Sequence, residues 1–505
     1  MSKKKVVSRK VAFGIGVALI ALIIIMSGIV ANYSSTISSL QKQIVSDKSE
    51  INSLNTTITS LNKEIASMQD QVPWLKETAA LERGINGFSV VQITDTQFLS
   101  DTNPDLFNGL NSWIVDNNQP LNLTMVIHTG DIVEVANLKD DWENANNAMM
   151  QLYNNSIPYT WNAGNHDQFN NSIVGGGSPN GSWLGGNYPA FNVTTMRQQP
   201  YWVGDIFNGK DTAVKFTYGN YHFMVINIEY NANKTILDWM QTLLKCNPNV
   251  NVIVATHNFL NGYGGYGLTI NPADVSWATN FEKLLNNYPN VFMTVSGHCI
   301  GDGGSAYNKK VGHREEIFFN MQENVSQTGA ATARIYTFNM SNPANPVVNA
   351  YTYQTFGTPQ YLTDPKDQFN FSTDLTAYSP SNASIAANTN FRGANGNSVS
   401  FSNSITLNGF SQYGNALTFK NLSLNGVTSN FTVTAINANI VISNFNPNSS
   451  ISYTVSGSGS QTFTVNKPPT TVDINGNQPS GSGWSYSNGE ITVTGATSSA
   501  VINFS

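Results

Sequence analysis

The chain has 505 residues, a net charge of −6 at pH 7, 11% charged residues and 40% hydrophobic residues. This length exceeds what one ordinary hydrophobic core accommodates, so we expect several domains. The acidic charge balance argues against nucleic acid as a partner, and two cysteines, Cys246 and Cys299, are too few for a disulfide framework.

An uncharged apolar stretch at residues 11–31 is long enough to cross a bilayer as one helix. Basic residues in the preceding tail, residues 1–10, predict that this tail lies in the cytoplasm and that the later domains are extracellular. We therefore predict a single-pass protein of the cell membrane. About fifteen Asn-x-Ser/Thr sites fit an exterior glycoprotein. The alternative is a cleaved signal peptide, whose apolar region is normally about 7–15 residues.

A heptad pattern occupies residues 32–83 and predicts a coiled-coil stalk. Its apolar residues alternate at spacings of three and four, with Asp47 as the polar exception: Ile37, Leu40, Ile44, Ile51, Leu54, Ile58, Leu61, Ile65, Met68, Val72 and Leu75. Isoleucine and leucine at these positions favour a parallel homodimer, and a trimer stays open. A lone amphipathic helix packed on the globular part is the alternative.

Residues 84–366 alternate short apolar runs with segments of helical period, which predicts an α/β (α+β) sandwich flanked by helices. The runs "FSVVQITD", "LTMVIHTGD", "IPYTWNAGNHD", "VNVIVATHN" and "VFMTVSGH" each end in polar residues. Ligands bind outside the carboxyl ends of strands in such sheets. The sequence therefore predicts a binding site at these strand ends.

The last part of the chain has few charges and no helical period. Residues 367–390 are predicted to be a linker, and residues 391–505 alternate polar and apolar residues between Gly, Asn and Ser turns, which predicts an all-β sandwich domain. Such a domain could bind glycan or a surface-layer protein. A carbohydrate-binding role through Trp484, Tyr486 and Tyr413 is a further alternative.

Five clusters follow the predicted strands in the α/β region. They are Asp95-Thr96-Gln97, Gly130-Asp131, Gly164-Asn165-His166-Asp167, His257 and Gly297-His298. Hard oxygen donors together with imidazoles suit the divalent cations of Mn, Fe or Zn. A carboxylate shared by two such cations can hold both while water is activated for attack on phosphorus.

The order and spacing of these clusters resemble the calcineurin-like metallophosphoesterases over residues 88–354. The resemblance implies that Asp131 bridges two metals, that Asn165, His257 and His298 complete the second site, and that Asp95 belongs to the first. It also implies that His166 is not a ligand but stabilises the phosphoryl charge or protonates the leaving oxygen. With Asp95 and Asp131, His166 is a predicted catalytic residue.

Two positions depart from the commonest family pattern, and both concern the first metal. Gln97 and Ile300 stand where histidines are usual; Gln97 still offers a carbonyl oxygen, as in one branch of the family, whereas Ile300 offers no donor. We predict one tightly held metal and one weakly held metal, in an enzyme that hydrolyses a phosphate mono- or diester. The alternative is a weakly active or inactive structural or adhesive envelope protein that keeps the fold.

Overall fold

The computed structural model describes residues 9–71, 86–169, 181–301, 303–323, 327–477 and 482–504. Most of the predicted basic tail (residues 1–8), the end of the predicted stalk (residues 72–83, with Val72 and Leu75) and residues 84–85 of the predicted α/β domain lie outside these ranges. The chain divides into two compact units, residues 1–79 and residues 80–505.

The first unit is one continuous helix, α1 (Arg9–Gln71), of 63 residues. Within the described ranges, one helix is long and apolar enough to cross a membrane, over Phe13–Leu61, and a signal sequence near an N-terminus has the same composition. The apolar side chains of the heptad pattern are each more than half exposed as far as residue 61: Ile37, Leu40, Ile44, Ile51, Leu54, Ile58 and Leu61. This helix therefore presents an unpartnered apolar stripe.

The second unit opens with a region of alternating strands and helices. Its main strands are β1 (Gly87–Ile93), β2 (Leu123–His128), β3 (Tyr159–Trp161), β4 (Gln168–Phe169), β5 (Ser182–Trp183), β6 (Trp202–Ile206), β7 (Asp211–Tyr218), β8 (Tyr221–Ile228), β9 (Asn251–Thr256), β10 (Val291–Ser296), β11 (Ala306–Val311), β12 (Arg314–Phe319), β13 (Thr332–Asn339), β14 (Val347–Gln354), β15 (Gln360–Tyr361) and β16 (Gln368–Ser372). Its helices are α2 (Gln97–Thr102), α3 (Pro104–Asp116), α4 (Lys139–Asn154), α5 (Val193–Met196), α6 (Lys234–Cys246) and α7 (Pro272–Leu285).

Two seven-stranded sheets form this region, so the predicted α/β sandwich is the observed architecture. One has the order β15-β14-β13-β1-β2-β3, with β16 beside β14, and the other has the order β11-β12-β10-β9-β8-β7-β6. Strands β1, β2 and β3 run parallel in the first sheet, and β8, β9, β10 and β12 run parallel in the second. The parallel strands of each sheet thus end at a common edge.

An apolar core lies between the two sheets. Phe88 of β1 stacks on Phe338 of β13 with ring centroids 4.5 Å apart, and it meets Phe223 of β8 edge-on at 5.1 Å. Strands β1, β9 and β10 are buried along their whole length. Helices cover the outer faces of the sheets, which is why these strands appear as continuous apolar runs without alternation.

The C-terminal region is all β. Its strands are β17 (Ala383–Ile385), β18 (Phe391–Arg392), β19 (Ser398–Phe401), β20 (Ile405–Leu407), β21 (Gly409–Tyr413), β22 (Ala416–Leu424), β23 (Val427–Ile436), β24 (Asn439–Asn446), β25 (Ser450–Ser456), β26 (Gln461–Thr464), β27 (Thr471–Ile474), β28 (Trp484–Ser487), β29 (Glu490–Val493) and β30 (Ser499–Asn503). They form an eight-stranded and a six-stranded sheet, and residues of both sheets share one buried apolar cluster.

Buried polar contacts join the all-β region to the α/β region. Gln412 of β21 accepts a hydrogen bond from Trp239 Nε1 at 2.7 Å and donates one to the carbonyl of Asp205 at 2.6 Å. Arg392 donates to Asp238 at 2.9 Å. Between the two regions, β16 pairs with β14 in the first sheet and β17 pairs with β20 in the eight-stranded sheet. The connecting segment is therefore structured at both ends.

Candidate metal centre

The predicted polar clusters meet at the carboxyl ends of the parallel strands. Asp95 and Gln97 follow β1, Asp131 follows β2, and Asn165 follows β3 in the first sheet. His257 follows β9 and His298 follows β10 in the second sheet. Because the two sheets face each other across the core, both edges contribute to one rim.

Three of the predicted ligands converge on one point. Asp131, His257 and His298 each offer one donor atom, and these three atoms lie within 4.8 Å of one another. His257 Nε2 is 3.1 Å from Asp131 Oδ2 and 3.0 Å from Oδ1 of Asn165. The structure thus brings together all four residues predicted for the second metal, and it holds a candidate metal-binding triad.

In both histidines, a hydrogen bond from one ring nitrogen fixes the orientation of the imidazole. His257 Nδ1 donates to the backbone carbonyl of Thr129 at 2.8 Å, which can only accept. His298 Nε2 donates to Oδ2 of Asp274 at 3.0 Å. Each imidazole is thereby held with its other nitrogen available as a lone-pair donor, the usual arrangement behind metal-binding histidines.

The chemistry of these donors fits a cation. Without a proton on Nε2, His257 presents a lone pair to Asp131 Oδ2 and Asn165 Oδ1; with a proton there, Nε2 donates to these oxygens. Burial lowers the pKa of His257, but the charges of Asp131 and Asp95 outweigh it and raise that pKa to about 10. Such a cluster stabilises positive charge, either as a proton or as a divalent metal ion.

Asp274, in the first turn of α7, was not predicted from the sequence. Its carboxylate also accepts hydrogen bonds from Tyr230 Oη at 2.5 Å and from Asn231 Nδ2 at 2.8 Å. Burial raises the pKa of Asp274, but the hydrogen bonds from His298 and Tyr230 lower it overall, so the carboxylate stays charged. In the sequence, Asn271-Pro272 before it reads only as a helix start.

Asp95 and Gln97 lie close to the Gly130-Asp131 turn. The Asp95 carboxylate accepts a hydrogen bond from Thr94 Oγ1 at 2.5 Å and weak ones from the backbone N–H of His298 at 3.3 Å. Burial raises the pKa of Asp95 to about 7. Gln97 is buried, and one end of its amide is 3.4 Å from Asp131 Oδ2. Both residues can therefore contribute oxygen donors to a first site.

The backbone at this rim is strained. Asp95 and Asp131 both have φ of 51° and His298 has φ of 64°, a left-handed conformation that costs non-glycine residues about 1–2 kcal/mol each. Such strain concentrates at functional sites, where the surrounding structure maintains it.

The absence of a side chain at Gly297 allows the Asp95 carboxylate to lie against its backbone. A Cβ at this position would lie 2.2 Å from Asp95 Oδ2 and 2.3 Å from Thr94 Oγ1. Gly297→Ala is expected to displace Asp95, to lower the metal content and to destabilise the fold by about 1–3 kcal/mol through overpacking. Elemental analysis and thermal unfolding measure both effects.

Gly109→Ala is the matched control for this substitution. Gly109 lies inside α3 with no atom near its Cβ position, so alanine there should leave metal content unchanged and stabilise the helix by about 0.5–1 kcal/mol. Equal metal content and equal thermal stability in the two variants would show that the position of Asp95 does not depend on the close approach of Gly297.

His166 is oriented by a residue that sequence reasoning did not single out. Its Nδ1 lies 2.9 Å from the backbone carbonyl of Glu134 and 3.3 Å from the Glu134 carboxylate. Burial lowers the pKa of His166, but the charges of Asp131 and Glu134 raise it overall. Asp167 ties the neighbouring loops together by accepting from the N–H groups of Ile132 and Gly164, both at 2.8 Å.

The side chains that could replace a missing histidine do not reach the first site. Cys299 Sγ donates to Asn258 Oδ1 at 3.4 Å. His313 lies in the turn before β12, and β12 runs parallel to β10, so His313 lies at the opposite edge from the rim. Ile300 carries no donor.

Residues 88–298 match the family model of calcineurin-like phosphoesterases, so this part of the chain is a calcineurin-like phosphoesterase domain with the metallophosphoesterase α/β fold. An uncharacterised protein of Bacillus subtilis (strain 168), YvnB, is 26% identical over 303 residues, which cover 57% of this chain and 22% of that relative. This chain thus spans about a fifth of that relative's length.

Two solved structures are also similar to the chain. The purple acid phosphatase PPD1 from yellow lupin (Lupinus luteus) seeds has a TM-score of 0.36 and 13% identity, over 57% of this chain and 54% of that chain. GAP50, the anchor in the inner membrane complex of Plasmodium, has a TM-score of 0.34 and 13% identity, over 58% of this chain and 89% of that chain.

Proposed function

We propose that this protein is a cell-surface, metal-dependent phosphoesterase that hydrolyses phosphate mono- or diesters. The observation that carries the proposal is the convergence of potential ligand atoms from Asp131, Asn165 and His257, next to a His298 whose Nε2 is held by Asp274. A divalent cation can take the place of the His257 Nε2 proton among these atoms. The phosphoesterase domain at residues 88–298 supports the same chemistry.

In this proposal Asp131 is shared by two metal sites. Its Oδ1 accepts the N–H of His166 at 2.8 Å, while Oδ2 faces His257 on one side and Gln97 on the other. Asn165, His257 and His298 complete the second site, which has two imidazoles and holds Mn, Fe or Zn tightly. Asp95 and Gln97 belong to the first site, which binds its cation more weakly because it lacks imidazole.

The residues of the centre have different roles in the proposed hydrolysis. When bound, divalent cations polarise the phosphoryl group and make water a better nucleophile toward phosphorus. Asp131 would help to hold the cations of both sites, and Asp95 would contribute a carboxylate oxygen to the first. His166 is half-buried at the rim and directs its Nε2 away from Glu134, so it can donate a proton to the leaving oxygen.

Metal removal tests the proposed function. The full chain, purified in detergent with Mn²⁺, is expected to hydrolyse an aryl phosphate monoester or diester. Chelator should abolish release of the phenolate, and added Mn²⁺ should restore it. Turnover that is unaffected by prolonged chelation with verified loss of metal would contradict a metal-dependent reaction.

An inactive envelope protein is the second candidate function, and Ile300 is the observation that favours it. A protein that binds metal at Asp131 and His257 but turns over no phosphate ester would support this reading. A glycan-binding role of the all-β region has narrower support: Tyr413 and Tyr486 are exposed, but Tyr413 accepts a hydrogen bond from Gln198 at 2.6 Å and Trp484 packs partly against the core.

We also propose that α1 anchors the protein in the cell membrane and joins copies of the chain. Its apolar N-terminal part is long enough for a hydrocarbon core of about 30 Å. The exposed heptad stripe is the face that a second copy would cover, because burial of each Leu or Ile side chain contributes about 1.5–3 kcal/mol. A parallel dimer is favoured over a trimer, with the phosphoesterase domain extracellular.

Substitutions in the heptad stripe test this stalk. The double variant Leu54→Gln, Ile58→Gln is expected to convert a dimer into a monomer in analytical ultracentrifugation of the detergent-solubilised chain. The control is Thr56→Gln, Thr59→Gln, since these side chains lie off the stripe and bond only to backbone carbonyls of their own helix. A wild-type chain that sediments as a monomer would rule out the coiled coil.

A further inference from the structure

The end of β12 reaches the same rim as the predicted ligands. Strand β12 runs parallel to β10, with Ser296 opposite Phe318, so the residues after β12 leave the sheet beside Gly297 and His298. The backbone N–H of Asn320 donates to Ser305 at 2.7 Å, and that of Gln322 donates to Asn320 Oδ1 at 2.9 Å. This turn holds the nearly buried side chain of Gln322 at the rim.

The amide of Gln97 has one consistent orientation. One end lies 2.8 Å from the backbone carbonyl of Asp95 and 3.2 Å from that of Asp131. Because both neighbours can only accept, this end is the nitrogen. The amide oxygen is then the atom 3.4 Å from Asp131 Oδ2 and 2.7 Å from Gln322 Oε1, and the amide nitrogen also donates to Gln322 Oε1 at 3.1 Å.

Three oxygens thus come together at the first site. An octahedral cation with bonds of about 2.1 Å holds neighbouring ligands about 3.0 Å apart. The spacings from the Gln97 oxygen to Asp131 Oδ2 and to Gln322 Oε1, 3.4 and 2.7 Å, bracket that value. The buried Asp95 carboxylate belongs to the same turn as Gln97 and offers a further oxygen donor.

We propose that Gln322 completes an oxygen-only first metal site with Asp95, Gln97 and Asp131, so that the two sites of the centre select different cations. This inference rests on the proposed function, because Asp131 is shared. Two carboxylates and two amides suit a hard cation such as Mn²⁺ or Mg²⁺, whereas two imidazoles at the second site suit Zn²⁺. The missing histidines therefore change the selectivity of the first site.

Metal counting on the full chain tests this assignment without using activity. The wild-type protein, loaded with Zn²⁺ and then titrated with Mn²⁺, is expected to hold one zinc ion and to bind one manganese ion, followed by electron paramagnetic resonance and elemental analysis. Gln322→Leu should weaken Mn²⁺ binding by roughly 10–100-fold, as loss of a supporting group does, with zinc retained. Gln322→Glu keeps an oxygen donor and should restore Mn²⁺ binding.

Gln360→Leu, at an exposed position of β15, is the matched control and should bind Mn²⁺ as the wild type does. Equal Mn²⁺ affinity in wild type, Gln322→Leu and Gln322→Glu would overturn the inference, and would show that the two glutamines share only an amide–amide hydrogen bond. A wild type that holds zinc but no manganese would overturn it as well. A wild type that binds neither metal would overturn the proposed function itself.

Discussion

The Asp131→Asn protein is expected to lose measurable phosphoesterase activity and most of its bound metal while keeping its fold. The side chain keeps its shape and can still accept the N–H of His166, but the negative charge between the two sites is gone. Asparagine also tolerates the φ of 51° at this position better than alanine does. Elemental analysis and hydrolysis of an aryl phosphate ester measure the two losses.

Asp105→Asn is the control for this prediction, since Asp105 lies exposed in the first turn of α3. It should leave both metal content and turnover at wild-type levels. Asp131→Ala should be as inactive as Asp131→Asn and somewhat less stable, because alanine adds backbone strain of about 1 kcal/mol. Full turnover in the Asp131→Asn protein would contradict a shared carboxylate.

His166→Ala is expected to lower the turnover number by roughly 10²–10⁴-fold, the range for a lost proton-transfer group. Metal content should stay at the wild-type level, because His166 contacts Glu134 and Asp131 through its Nδ1 and its backbone and is not among the converging donors. This separation of turnover from metal content distinguishes His166 from every predicted ligand.

Two further variants sharpen the prediction for His166. Glu134→Gln should reduce turnover less than His166→Ala does, because the backbone carbonyl of residue 134 still holds Nδ1. His313→Ala, in an exposed turn at the far edge of β12, should have no effect. A His166→Ala protein with wild-type turnover would remove the proposed proton donor from the mechanism.

The rim of the site was predictable because its signals are local. Asp131, His257 and His298 each follow a buried apolar run directly, and the carboxyl ends of parallel strands share an edge. Those two facts place residues of one sheet together, whereas the approach of His257 and His298 to Asp131 also required the two sheets to pack face to face. Gly219-Asn220 between two apolar runs is likewise a local hairpin signal, and β7 and β8 pair up to Tyr218 and Tyr221.

The supporting residues were not predictable, because their roles depend on contacts across the fold. Asp274 reaches His298 from helix α7, and its neighbours in sequence indicate only a helix start. Gln322 lies beyond β12, more than two hundred residues from Gln97 in the chain, and no motif links them. Glu134 lies only three residues after Asp131, but the sequence does not show that it contacts His166, because that contact depends on the fold.

Anomalous scattering from crystals of the zinc-loaded protein, measured above and below the zinc absorption edge, is the most direct test of a metal centre at this rim. The expected peak lies within bonding distance of side-chain atoms from both sheets, joining the amide oxygen of Asn165 to the two rim imidazoles and the carboxylate between them. Zinc bound only elsewhere, with those four side chains bonded solely to protein, would contradict the assignment of a metal centre to this rim.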